Sequence, residues 1–259
     1  MSVTATAPGS VTTIFVPQGG EASLGVSFAT ADGVRATVRP ASDTVIVLDG
    51  VLASVAPVTG VLGRLGTSAA VELDTEMPIG CGFGISGAAT LATALAVNEM
   101  RGLGYDRARL VEAAHRAEVA AGTGLGDVFI QDRGGLLWDQ GDGLRRASSS
   151  ARVQYASFGD IATADVLGDE QALQRVESVG REVLSSLDPR EGLASLFEAS
   201  WAFARRTGLA SDQVEAVVSD VEKEGGTATM AMVGETVLAV DSPLLEGETR
   251  VTPDGAALC

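Results

Sequence analysis

The chain has 259 residues, of which 46% are hydrophobic and only 4% aromatic, so its core must be built mainly from alanine, valine and leucine. A formal net charge of −16 argues against binding to nucleic acid or to an anionic membrane surface, because both need a basic face. Of the 18 basic residues, 17 are arginine. An acidic, lysine-poor composition predicts a halophilic protein, the alternative being a GC-rich genome that favours arginine codons.

Several kinds of site and location are excluded by simple counts. Two cysteines, Cys81 and Cys259, give no disulfide framework or zinc cluster, and the single histidine, His115, rules out a multi-histidine metal site. The N-terminal residues lack the basic and apolar regions of a signal peptide. The long uncharged run over residues 77–98 is rich in glycine, alanine and threonine, unlike a membrane span. We therefore expect a cytoplasmic protein.

In chain order, the first half is predicted to be rich in strands. Runs of valine, threonine, isoleucine and phenylalanine separated by turn residues predict strands over residues 11–16, 22–28, 34–38, 44–48 and 71–77. Residues 54–65 form a helix or a loop, and helices are predicted over 85–100 and from a cap at Asp106 to 121. A hairpin is predicted from strands at 128–130 and 136–138.

The second half changes character after a polar, serine-rich stretch at residues 145–152, which is a candidate domain boundary. Helical spacing predicts helices over residues 169–187, 190–207 and 211–224. Two strands, at 229–233 and 236–240, would follow around a short turn. The chain is therefore predicted to have two α+β domains, the first richer in strands.

A glycine-rich segment at residues 78–89 carries a single serine, Ser86, and leads into an apolar helix. Its glycines allow the backbone to turn tightly and to approach a ligand closely. A helix N-terminus presents free N–H groups and partial positive charge, so the segment predicts an anion site whose usual occupant is a phosphate chain. It is not a P-loop, because the only lysine, Lys223, is far away in the sequence.

Two other patterns overlap the same segment. Glycines at 82, 84 and 87 fit a dinucleotide-binding pattern, but residues 71–77 alternate like a half-exposed strand rather than a buried one. Residues 84–88 approximate the nucleophile elbow, with alanine in place of the last glycine. A serine hydrolase would need His115 beside Ser86, with an acid behind it.

Two acids could complete a site for phosphoryl transfer. Glu118 is predicted on the apolar face of its helix, and a buried carboxylate is costly unless it is paired or bound to a metal. His115 lies one turn earlier, and a glycine-rich loop at 122–126 leads to Asp127. With Ser86, these residues could supply a phosphate cradle, a metal ligand and a base. Taken singly, they could equally be a paired acid, a structural histidine and a turn residue.

Residues 78–88 resemble the second motif of the GHMP small-molecule kinases, residues 7–9 their first motif, and residues 225–232 a degenerate third with only two glycines. The resemblance implies an α+β, two-domain GHMP-kinase-like fold. A strand-rich N-terminal domain would span residues 1–155 and a helix-plus-sheet C-terminal domain residues 156–259, with the active site in the cleft between them.

Within that superfamily, residues 114–128, 131, 134–136 and 159–163 resemble the archaeal pantoate kinases. The resemblance implies an enzyme that uses ATP and Mg²⁺ to convert pantoate to 4-phosphopantoate in archaeal coenzyme A biosynthesis. The residues it implies for ATP binding are Pro78, Gly80, Gly82, Gly84, Ser86, Gly87 and Ala88. Those it implies for catalysis are Ser86 and Glu118, which would hold Mg²⁺, and Asp127, which would act on the pantoate hydroxyl as base or orienter.

The substrate contacts implied are His115 and Thr163, but the chain departs from the family pattern in two places. Residues 10–15 lack the histidine expected after the first motif. Trp138 and Asp139 stand where the family often has an arginine for the pantoate carboxylate, so Arg133 could be its substitute. A kinase of the homoserine or mevalonate type and a catalytically silent, ligand-sensing relative therefore stay open alternatives, as does a homodimer.

Overall fold

The computed structural model describes residues 1–18, 23–124, 126–159, 170–232 and 234–259. In its first half the strands are β1 (Val3–Pro17), β2 (Ser23–Pro40), β3 (Val45–Leu48), β4 (Val51–Leu52), β5 (Ala69–Thr75), β6 (Leu136–Asp139) and β7 (Arg145–Ala147). The helices there are α1 (Ala56–Arg64), α2 (Ile85–Arg101), α3 (Arg107–Ala121) and α4 (Asp127–Arg133).

The remaining elements follow the serine-rich stretch. The strands are β8 (Arg152–Gly159), β9 (Thr227–Met230), β10 (Glu235–Val240), β11 (Gly247–Arg250) and β12 (Ala257–Leu258). The helices are α5 (Glu170–Ser186), α6 (Leu193–Thr207) and α7 (Asp212–Lys223), with a short 3₁₀ turn at Pro189–Glu191. Strands and helices are mixed in both halves, which confirms the α+β prediction.

The larger sheet has the order β12-β1-β2-β5-β3-β4, with β6 on another part of β2 and β7 beside β6. One sequence prediction is wrong in its long antiparallel pair, β1 and β2. Residues 31–33 were predicted to be a turn between two strands, but β2 continues through them. The pairing jumps from Pro8–Gly33 to Gly9–Thr30, so the extra residues form a bulge instead.

Helix α2 lies across β1 and β2 and is buried along most of its length. Five of its twelve buried residues are alanine and one is glycine. Such small side chains allow a helix to pack closely between its neighbours. Helices α1, α3 and α4 also contact it. The N-terminal end of α2 is thereby fixed against the strands and helices that carry the acidic residues.

The smaller sheet has the order β11-β8-β10-β9, and α6 and α7 pack on its strands β9 and β10. The chain passes from one sheet to the other between Ala147 and Arg152. It returns at its end, because β12 pairs antiparallel with β1, placing Leu258 opposite Ala5. The last residues therefore complete the larger sheet.

A second correction concerns residues 128–130, which were predicted to be a strand and lie in α4. Asp127 occupies the first turn of this helix, where a carboxylate interacts favourably with the free N–H groups. Gly134 follows the helix with φ +65°, a backbone conformation that ends it. Over the described parts of the chain, none of the helices has the length and apolar character that crossing a membrane requires.

Candidate active site

The glycine-rich segment leaves β5 and makes a series of turns before α2 begins. Gly80, Gly82 and Gly84 have φ values of +79°, +86° and +61°, which favour glycine over any residue with a side chain. Gly84 is the N-cap of α2 and supplies no side chain to its first N–H groups. Ser86 therefore stands in the first turn of a helix whose N–H groups are available to an anion. Pro78, half-buried, precedes these turns.

Close packing also requires small residues in this segment. A Cβ atom at Gly82 would lie 2.9 Å from the Cβ of Ala231, and one at Gly84 would lie 2.1 Å from Ser10 Oγ. A Cβ at Gly87 would lie 2.8 Å from a side-chain oxygen of α4, and Ala88 beside it is fully buried. The segment is thus enclosed by β1, α4 and the loop after β9.

Glu118 of α3 is only 2% exposed and is surrounded by hydroxyl donors. Its Oε1 accepts hydrogen bonds from Thr90 at 2.7 Å and Ser86 at 3.0 Å, and its Oε2 accepts one from Thr123 at 2.8 Å. Burial raises the pKa of Glu118, the three hydroxyls oppose that rise, and the charge of Asp127 adds to it. No basic side chain of the described residues pairs with this carboxylate.

Asp127 is half-buried at the start of α4 and belongs to the same site. Its Oδ1 accepts a hydrogen bond from Ser10 Oγ at 2.6 Å. A Cβ atom at Gly124 would lie 3.3 Å from Asp127 Oδ2 and 3.3 Å from Glu118 Oε2, so an oxygen of each carboxylate lies next to that glycine. Burial raises the pKa of Asp127, and the bond from Ser10 opposes the rise.

Four residues of this network were not assigned a role from the sequence. Ser10 contacts Asp127, while Thr90 and Thr123 contact Glu118. Gln131 donates from Nε2 to the carbonyl of Gly84 at 2.6 Å and to Ser10 Oγ at 3.2 Å. Helical spacing could have suggested Thr90, one turn after Ser86. Nothing local points to Ser10, because its partner is 117 residues away.

Of the three predicted substrate contacts, His115 lies near Glu118 on the same helix, whereas Arg133 lies at the far end of α4 from Asp127. His115 is buried on α3, one turn before Glu118, with its ring centroid 4.8 Å from that of Phe129 on α4. Arg133 is exposed at the last residue of α4, the opposite end of that helix from Asp127. Thr163 lies outside the described residues.

Trp138 and Asp139, which stand where the family often has an arginine, have structural roles. Trp138 is 5% exposed in β6, opposite Val26 of β2. Asp139 accepts hydrogen bonds from the N–H groups of Gly141 and Gly143 and so closes the turn before β7. Neither side chain is available to hold an anionic substrate.

The oxygen donors of the site fit a small, hard cation. Mg²⁺ is usually held by one or two carboxylates together with substrate phosphates and water. Glu118 supplies a carboxylate and Ser86 a hydroxyl, with the Asp127 carboxylate nearby, beside a helix N-terminus that suits phosphate. The described residues contain no cluster of three or more histidine, cysteine or acidic side chains that could hold a metal alone.

Residues 51–135, which include the glycine-rich segment and both acids, match the family model for the GHMP kinases N-terminal domain. A curated pantoate kinase from Methanospirillum hungatei is 26% identical over 92% of this chain and 87% of its own length. Residues 51–135 are therefore identified as a GHMP kinases N-terminal domain, and most of the chain is similar to a curated pantoate kinase. This result confirms the family predicted from the sequence motifs, and with it a small-molecule kinase.

Two further comparisons extend this likeness. A pantoate kinase from Methanocaldococcus jannaschii is 27% identical over 66% of this chain and 64% of its own length. A solved structure described as a "phosphotransferase related to CoA biosynthesis pathway" superposes with a TM-score of 0.86 and 20% identity, covering 100% of this chain and 99% of the other. The predicted GHMP-kinase-like fold is therefore confirmed along the whole chain.

Proposed function

We propose that this protein transfers the terminal phosphoryl group of ATP to the hydroxyl of pantoate, giving 4-phosphopantoate, in the cytoplasmic synthesis of coenzyme A. The observation that carries the proposal is the pair of carboxylates, Glu118 and Asp127, each with an oxygen next to Gly124, and the hydrogen bond of Glu118 to Ser86 in the first turn of α2. The acceptor is suggested by the names of the curated relatives. The acceptor and the ATP would meet in the cleft between residues 1–155 and 156–259.

In this proposal the phosphates of ATP bind to the glycine-rich segment. Free N–H groups at the start of α2 would donate to phosphate oxygens, and the positive end of the helix would favour their charge. The positive φ angles of Gly80, Gly82 and Gly84 let the backbone turn tightly before the helix begins. The residues assigned to ATP are Pro78, Gly80, Gly82, Gly84, Ser86, Gly87 and Ala88.

Glu118 and Ser86 are assigned to Mg²⁺. A buried carboxylate whose described partners are all neutral hydroxyls is poorly compensated, and a bound cation would remove that cost. Thr90 and Thr123 would orient the two carboxylate oxygens. When bound, Mg²⁺ would neutralise charge on the phosphates during transfer.

Asp127 is assigned to the acceptor hydroxyl. As the hydroxyl oxygen forms its bond to phosphorus and the bond from phosphorus to the departing ADP breaks, the hydroxyl proton passes to the Asp127 carboxylate. Burial raises the pKa of Asp127, which makes this carboxylate a better proton acceptor than an exposed one. His115, Thr163 and Arg133 stay assigned to the remainder of the substrate.

The test is a measurement of ADP release with ATP and Mg²⁺ in the presence of pantoate, homoserine, mevalonate or no acceptor. We expect turnover with pantoate, and a new phosphate ester in the ³¹P spectrum of the products. ADP release that is the same without an acceptor would contradict the proposal. The Glu182→Gln variant, altered at an exposed acid of α5, is the matched control for variants of the buried acids.

A second candidate is a GHMP kinase for another small hydroxy compound. It is favoured by the use of Trp138 and Asp139 within the fold, which removes the expected partner of the pantoate carboxylate. Turnover with homoserine or mevalonate but not with pantoate would select this candidate. Binding of ATP and pantoate without turnover would instead indicate a ligand-sensing relative.

A further inference from the structure

Ser10 joins three elements of the site although it carries no charge. It lies in β1, with no exposed surface, immediately after the segment that resembles the first motif. Its N–H group donates to the carbonyl of Phe83 in the glycine-rich segment at 2.8 Å. Its hydroxyl donates to Asp127 Oδ1 at 2.6 Å. The phosphate-binding segment and the acid are therefore tied to the same residue.

Gln131 determines the direction of the Ser10 hydroxyl. The amide nitrogen of Gln131 donates to Ser10 Oγ at 3.2 Å and to the carbonyl of Gly84 at 2.6 Å. Because Ser10 Oγ accepts this bond, its own proton is directed to Asp127. A side chain at Gly84 would displace this arrangement, since its Cβ would lie 2.1 Å from Ser10 Oγ.

We infer that Ser10 is a positioning residue for the phosphoryl transfer, fixing the Asp127 carboxylate so that Oδ2 is the oxygen that faces the acceptor. Oδ1 accepts the hydrogen bond from the Ser10 hydroxyl, whereas Oδ2 lies next to Gly124, as Glu118 Oε2 does. The inference rests on the proposed function for the role of Asp127. It also gives a use to the position after the first motif, where the resemblance predicted a histidine.

The principal test compares Ser10→Ala with Ser10→Cys and with Thr4→Val. Ser10→Ala removes the donor, so kcat should fall by on the order of 10²-fold, the effect of misplacing a reacting group by about 1 Å. The KM for ATP should not change, because the N–H bond to Phe83 remains. Ser10→Cys keeps a weak donor of similar shape and should recover part of kcat. Thr4→Val removes a hydroxyl from the same strand, 3.1 Å from that of Thr37, and should leave kcat unchanged.

Crystal structures of the same variants supply a readout that does not depend on turnover. In Ser10→Ala the Asp127 carboxylate should leave its wild-type orientation, and in Ser10→Cys it should keep it. If Ser10→Ala fails to fold, Gln131→Met should still lower kcat, because the direction of the Ser10 hydroxyl is no longer set.

Three results would overturn the inference. They are a wild-type kcat in Ser10→Ala, a loss confined to the KM for ATP, and an Asp127 carboxylate that keeps its orientation without the serine. A wild-type protein that phosphorylates no acceptor would overturn the proposed function instead. The orientation of Asp127 in Ser10→Ala would then still support or contradict the positioning role of Ser10.

Discussion

Acids in the interior and acids on the surface of this protein are compensated in opposite ways. Glu182 and Asp188 are on the surface, and each is paired with an arginine that lowers its pKa, in the case of Asp188 to about 2. Among the described side chains, the donors to Glu118 and Asp127 are neutral hydroxyls, and burial raises the pKa of both acids.

The surface acids are neutralised by arginines of the chain, whereas the charge of Glu118 and Asp127 is left for a ligand to neutralise. The surface pairs are exposed to water, so each one contributes little to stability. The interior pair is costly to maintain, and it persists beside a helix N-terminus where a cation and a phosphate could be held together. The location of the acids thus says more about function than their number.

Of the variants that test this comparison, Glu118→Gln should have the largest effect on kcat. The change keeps the shape of the side chain but removes the charge assigned to Mg²⁺, so kcat should fall by about 10³-fold or more, the lower range for groups that stabilise charge in phosphoryl transfer. Steady-state kinetics with varied Mg²⁺ measure it. Glu182→Gln, which loses only an exposed ion pair, should retain the wild-type kcat. Equal kcat in both variants would contradict the assignment of Glu118 to Mg²⁺.

Asp127→Asn should have the next largest effect. The amide oxygen can still accept from Ser10, but it cannot take the acceptor proton, so kcat should fall by at least about 10²-fold. The control is Asp132→Asn on the same helix, where the acid pairs with Arg107 and lies away from the site. Single-turnover kinetics with saturating ATP and pantoate compare the two. A wild-type rate for Asp127→Asn would show that this carboxylate is not the proton acceptor.

In the metal-free protein, interior and surface acids should change the free energy of unfolding with pH in opposite directions. Because the pKa of Glu118 is raised above 4.5 on folding, the folded state binds its proton more tightly than the unfolded state. The free energy of unfolding should therefore fall as the pH rises from about 4.5 through the raised pKa. Glu118→Gln lacks this fall, so its stability relative to wild type should increase over that range in denaturant titrations.

Asp188→Asn is the opposite case and controls the pH experiment. The pKa of Asp188 is lowered on folding from 3.8 to about 2, so its stabilising contribution is present above 3.8 and lost as the pH falls through about 2. This variant should differ from wild type by the same amount at all pH values above about 5. A parallel pH response in both variants would contradict the distinction between interior and surface acids.

Salt should give the smallest effect. A net charge of −16 makes the folded chain repel itself, and the range of that repulsion falls to about 3 Å at 1 M salt. The thermal unfolding midpoint should therefore rise by a few degrees between dilute and molar KCl, as calorimetry can measure. A midpoint that does not change would remove the prediction of a halophilic protein.

Much of the fold was predictable because its signals are local. The helix that begins at Ile85 follows a glycine N-cap, and the helix that ends at Ala121 has an aspartate cap, so both were predicted to within a residue or two. The strand predicted at 128–130 was wrong because apolar residues in a short run do not distinguish strand from helix. Asp127 is the first residue of this helix, directly after its N-cap Gly126.

The site was only partly predictable, for a physical reason. Glu118 was placed on the inner face of its helix by spacing, and its burial confirms that placement. Glu118 on α3 contacts Thr90 and Ser86 on α2, which lie 28 and 32 residues earlier in the sequence. Hydrophobic periodicity within one helix contains no information about contacts between helices. Ser10 lies still further from its partner and could be found only from coordinates.

The pairing of β12 with β1 has a consequence for how the chain folds. Cys259 donates its N–H group to the carbonyl of Thr4, and Ala256 donates to the carbonyl of Gln131 on the helix that carries Asp127. Contacts between residues so far apart in sequence form slowly, because the loop must close before they contribute. During synthesis, the helix that carries Asp127 therefore acquires this support only after residues 256–259 have left the ribosome.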